Sequence, residues 1–152
     1  MPGSGNDPSK RAPFYWNEAR DNGTTNPPPE CQLPESYELG SLEQQRADAD
    51  SLYNYYRQVI AIRNALPQIA RGIPTAETAL NVGCVSAHRK TWNEKECIIL
   101  MNINGEEAKV DLSGYADWML AASLSAEGSS ISLDATTLNL PAWGVAILTP
   151  KE

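Results

Sequence analysis

Between residues 41 and 66 apolar positions recur three and four apart. Leu52, Tyr55, Tyr56, Val59, Ile60 and Leu66 make one stripe, which predicts an amphipathic helix. Ser41 with Gln44 three residues on predicts a capping box for a short first piece. Asp48, Asp50 and Ser51 offer N-caps for a second piece. Pro67 disfavours helical geometry at Leu66 and predicts the stop there. The stripe is wide and aromatic, so it expects a substantial partner surface.

From residue 75 to 150 the period changes to two. Segments 82–90, 97–103, 108–112, 118–124, 137–140 and 143–149 read as about six short strands. The run CIILMNI at 97–103 is almost unbroken in apolar residues, as in a strand covered on both faces. Asn104-Gly105 signals a tight turn, and Ser113-Gly114 and Gly128-Ser129 punctuate the rest. Many short strands at near-regular spacing predict an antiparallel, Greek-key β-sandwich. If the first hairpin turns near Asn93, Cys97 pairs with Lys90 rather than with Cys84. Both thiols are then free, and Cys31 is a candidate for an intermolecular disulfide.

Residues 1–34 have neither period. Seven of the eleven prolines lie there, at positions 2, 8, 13, 27, 28, 29 and 34. Such a stretch holds neither a helix nor a central strand. It nevertheless carries Phe14, Tyr15 and Trp16 in a row, which suits a long loop shaped to lie on something. The expected architecture is mainly β: a sandwich preceded by one helical segment and an irregular arm.

Composition narrows the function classes. The 152 residues are 41% hydrophobic and 20% charged, enough for one ordinary domain or a small one with an appendage. They are too few for a complete (β/α)₈ barrel, which needs roughly 200 or more. Nineteen acidic against twelve basic residues argue against a nucleic-acid partner, which needs a basic patch. No apolar run nears the ~18 residues of a membrane helix, and no signal-peptide pattern follows Met1. The single histidine, His88, and three unevenly spaced cysteines fit no metal framework or Ser/His/Asp triad, so no metal or cofactor is expected.

The string GSGNDPSKRAPFYW at 3–16 resembles the segment after the eighth barrel strand in glycoside hydrolase family 13, the α-amylase type. Asp7-Pro8, Arg11, Pro13, Phe14 and Trp16 fall on that family's pattern. DSLYNYYRQVIAIRNALP at 50–67 resembles the last barrel helix. CIILMNING at 97–105 and LNLPAWGVAILTP at 138–150 resemble strands of the C-terminal β-sandwich. The order agrees throughout, and the α-amylase and oligo-1,6-glucosidase branch is the nearest in flavour. The resemblance implies that residues 1–72 correspond to the end of the catalytic barrel, with a loop over 1–40 and a helix over 41–66. Residues 73–152 then correspond to the sandwich.

The same resemblance implies a chemistry whose actors are elsewhere. Family members use a retaining pair of carboxylates, on barrel strands that would precede Met1. No residue here matches them, so the chain alone is expected to be inactive on α-glucans. The family's usual calcium ligands are likewise upstream.

Asp7 and Arg11 match residues that line the glucan cleft, where one accepts and the other donates hydrogen bonds to sugar hydroxyls. The alternative is an internal ion pair that shapes the loop. Trp16 offers a stacking face or a loop anchor. Among Trp92, Trp118 and Trp143, the polar turn around Trp92 predicts exposure and a possible sugar platform, whereas Trp143 is expected to be packed. The helix over 52–66, without its barrel, is expected either to lie partly exposed or to pair with a second copy. The arm over 1–34 is expected to be mobile. The competing functional reading is an independent carbohydrate-binding or interaction module of sandwich type. The compartment is not legible.

Overall fold

The computed structural model describes residues 12–21, 26, 38–126 and 129–151. They fall into two compact units, one up to Tyr56 and one from Arg57 onward. Among the described residues three helices come first: α1 (Leu42–Ala47), α2 (Leu52–Ala65) and α3 (Pro67–Arg71). Eight strands follow: β1 (Ile73–Ala76), β2 (Val85–Trp92), β3 (Lys95–Asn102), β4 (Ala108–Asp111), β5 (Trp118–Leu124), β6 (Ser132–Asp134), β7 (Thr137–Leu140) and β8 (Val145–Pro150).

The helical segment breaks where local chemistry dictates. Ser41 accepts from the Gln44 backbone N–H while Gln44 bonds back to the Ser41 N–H, completing the expected capping box. The carbonyls of Tyr15 and Trp16 take the N–H groups of Leu42 and Glu43, both at 3.0 Å. The described part of the arm therefore satisfies two donors that a helix start leaves open. Of the three proposed second caps, Ser51 performs the role: its hydroxyl accepts from the Asn54 N–H at 3.2 Å and donates to the Gln45 carbonyl. Pro67 does more than stop a helix. The chain breaks at Leu66, and Pro67 then opens the five-residue α3, where its fixed φ and missing N–H are tolerated.

All strand pairs are antiparallel. One sheet has the order β1-β2-β3-β8-β5 and the other β4-β7-β6. Asn93 and Glu94, both at positive φ, turn β2 into β3 and set Lys90 opposite Cys97. Cys84 and Cys97 are accordingly free, the first exposed and the second buried. The strands β1 and β6 are additional to the six expected. Each is short, and β1 carries Pro74, so neither shows a clear alternation. The Asn104-Gly105 turn links strands of different sheets, because β3 pairs with β8 while β4 pairs with β7.

The core lies between the sheets. Val85, Ala87, Ile98, Leu100, Ala146 and Leu148 meet Val110, Leu112, Leu138 and Leu140, all buried. The run 97–102 is central as expected. Its other face holds Cys97, fully buried, with Ile99 and Met101 half-buried. Near Cys97, α3 is tied to the hairpin. Gln68 donates to the Glu96 carbonyl at 3.3 Å and the Lys90 ammonium donates to the Ile69 carbonyl. No residue of α2 is fully buried, and Leu52, Tyr56 and Ile60 stand exposed.

Candidate functional site

Asp7 and Arg11 lie outside the described residues. Their neighbour Trp16 is 46% exposed and meets Phe14 edge-to-face, with ring centroids 4.9 Å apart. Tyr15 between them is buried, with the Arg20 guanidinium 4.2 Å over its ring. The three aromatics divide the work: Tyr15 anchors, and Phe14 and Trp16 remain on the surface. Beside Tyr15 a depression of about 670 Å³ is lined by Asn17, Glu18, Arg20, Gln44 and Asp48. Carboxylate, guanidinium and amide groups together suit a polyhydroxylated ligand, since they both accept from and donate to hydroxyls. Residues 12–21 of the arm, expected to be mobile, are held here by the bonds to α1.

The sandwich tryptophans reverse the expected order. Trp92 is half-buried rather than exposed, because the Arg71 side chain of α3 lies 4.9 Å over its ring. Trp143, expected to be packed, is 61% exposed and has φ 59°. It is the third residue of a turn closed by the Gly144 N–H donating to the Pro141 carbonyl at 3.0 Å. Positive φ at that place is the type II pattern, normally filled by Gly or Asn. The signal in the sequence was Pro-Ala-Trp-Gly itself, a turn with Trp where the backbone demands glycine.

A charged cluster closes the end of the sandwich near Trp118. Arg89 bonds Glu77 at 2.7 Å and Glu96 at 3.0 Å, and its guanidinium lies 4.8 Å from the Trp118 ring centre. The Tyr115 hydroxyl donates to the other Glu77 oxygen at 2.7 Å. Burial pushes the Glu77 carboxyl upward, but the bonds from Tyr115 and Arg89 and the Arg89 charge outweigh it and hold Glu77 below its ordinary range. Burial likewise works against the Arg89 charge, and the two glutamates more than restore it. Burial and donation to Glu77 together raise the Tyr115 phenol. Every member of this cluster is paired with another, so it reads as structural.

His88 is half-buried, with Nε2 3.1 Å from the Ser86 hydroxyl. Among the described residues no group of three or more His, Cys, Asp or Glu side chains is placed to hold a metal ion. No described helix is long and apolar enough to cross a membrane.

Comparisons with known proteins agree with this architecture. Residues 1–72 match the family described as alpha amylase, catalytic domain. A probable alpha-glucosidase of Rhizobium meliloti (strain 1021) is 25% identical over 135 residues, covering 88% of this chain and 23% of the relative. A probable oligo-1,6-glucosidase 2 of Bacillus subtilis (strain 168) is 27% identical over 62 residues, 41% of this chain and 11% of the relative. Among solved structures, Eubacterium rectale Amy13B superposes with a TM-score of 0.88 at 31% identity, over 99% of this chain and 29% of that one. The alpha-amylase from H.orenii shares the fold with a TM-score of 0.68 at 24% identity, over 91% of this chain and 28% of that one. The chain thus spans under a third of the length of these relatives.

Proposed function

We propose that the chain, whose residues 1–72 match the alpha amylase catalytic-domain family, is the non-catalytic C-terminal portion of an α-amylase-type glycoside hydrolase acting on α-glucans. Residues 1–72 are the end of the catalytic barrel and residues 73–152 the C-terminal sandwich. In the intact enzyme the catalytic carboxylates come from other segments and work by the retaining two-carboxylate route. This portion stabilises the barrel and supplies a cleft loop in which Asp7 and Arg11 contact the glucan.

One observation carries the reading. A catalytic-domain match confined to residues 1–72 coincides with a helix, α2, that leaves Leu52, Tyr56 and Ile60 in solvent. An apolar stripe of that kind belongs against a partner surface, and the absent barrel is the partner proposed.

The test is turnover by the purified chain. Starch and maltooligosaccharides are expected to yield no reducing ends above the blank. Clear turnover would overturn the non-catalytic assignment.

A further inference from the structure

Trp143 is an exposed aromatic held in an unfavourable backbone conformation. A single exposed hydrophobic residue is ordinary. A bulky residue at φ 59° is not, and such outliers gather at ligand sites. The turn is pinned from both sides. The Trp143 N–H donates to the Asn104 carbonyl at 3.2 Å, and the Asn102 N–H to the Gly144 carbonyl at 2.9 Å. The indole is therefore presented on a fixed support.

Its surroundings differ from those of the other sandwich tryptophans. Trp92 and Trp118 each have a guanidinium over the ring. Trp143 has no ring or cation partner among the described residues. A Cβ built on Gly105 would lie 4.0 Å from the indole Cζ2, so the Asn104-Gly105 turn flanks the ring. That turn also walls a shallow depression of about 300 Å³, lined by Asn104, Glu106, Lys109 and Cys84. The helix α3 is bonded to the opposite end of β3, at Glu96. Eight strand residues, about 25 Å of extended chain, separate it from this end.

The 104–109 segment thus carries, on one side, the glycine against the indole and, on the other, a hollow with an amide, carboxylates and an ammonium. An apolar face and polar groups are the two things a sugar ring requires. The C–H face rests on the indole while hydroxyls exchange hydrogen bonds with the polar groups. We propose that Trp143 and the turn from Asn104 to Lys109 form a surface-binding site for α-glucan, built wholly from sandwich residues. The choice of α-glucan rests on the family reading above, whereas the geometry of the site does not.

The experiment titrates the full chain with maltoheptaose and, separately, with cellohexaose, followed by tryptophan fluorescence and amide NMR shifts. A saturable response to maltoheptaose is expected at Asn104, Gly105 and Gly144, with cellohexaose weaker. W143G should weaken affinity about tenfold or more. Glycine takes positive φ freely, so this variant keeps the turn. W143F, which retains a ring, should keep most of the binding. No saturation by the native chain, an unchanged response in W143G, or an equal response to both sugars would overturn the site. Failure of the proposed function is read separately, from turnover.

Discussion

At the scale of single residues, the Glu77–Arg89 pair makes a pH-dependent contribution. Glu77 titrates below its ordinary value of 4.5 in the folded chain. Its contribution is therefore present above the unfolded value and lost as pH falls through the lower folded one. Urea unfolding at about pH 7 and at successively lower pH should show E77Q less stable by about 1–2 kcal/mol at pH 7, with the deficit shrinking as the pH falls below the ordinary carboxylate range. A deficit that stays constant as the pH is lowered would refute the linkage. The cysteines give a second residue-scale prediction. Burial raises the Cys97 thiol, with Lys90 nearby opposing it in part, whereas Cys84 is exposed. In a C31S background, a thiol reagent should label one site rapidly, Cys84, and the other only on unfolding. Rapid labelling of two sites in the folded state would contradict the placement of Cys97.

At the scale of elements, the corner between α1 and α2 is held by side chains rather than by core. Asn54 donates to the carbonyls of Gln45 at 3.0 Å and Asp48 at 2.7 Å, satisfying acceptors that the end of α1 leaves open. Ser51 caps α2 and is itself buried. Replacing it, as S51A, should cost about 1 kcal/mol in thermal unfolding, with loss of helical circular dichroism preceding loss of the sandwich signal. S51D, which restores a capping oxygen but adds a charge, should recover less than S51T, because the site has little solvent. A neutral S51A would show that Asn54 alone holds the corner.

At the scale of the whole molecule, the exposed stripe on α2 leads to a prediction about behaviour in solution. Leu52, Tyr56 and Ile60 are 46%, 59% and 53% exposed along one helix. A contiguous apolar face drives association when nothing covers it. Sedimentation velocity over a range of concentrations should show reversible self-association of the chain. The double variant Y56E/I60E should sediment as a monomer and leave the sandwich transition intact. A concentration-independent native monomer would refute self-association through this face.

Much of this architecture was legible along the chain because its causes are local. The capping box at Ser41, the break before Pro67, the buried run at 97–102 and the Lys90–Cys97 register each follow from side chains a few residues apart. The family pattern in 3–16 was equally readable, although Asp7 and Arg11 lie outside the described residues. What tertiary structure decided was the fate of groups whose partners are distant in sequence. Trp92 is covered because α3 delivers Arg71 to it, and Glu77 is drawn to Arg89 and Tyr115 across β1, β2 and the turn before β5. Trp143 is exposed because pairing of β3 with β8 ties its turn to Asn104 and sets the indole beside Gly105, which has no side chain to cover it. Periodicity records which face of an element is apolar. Only the assembled sheets determine what, if anything, lies against that face.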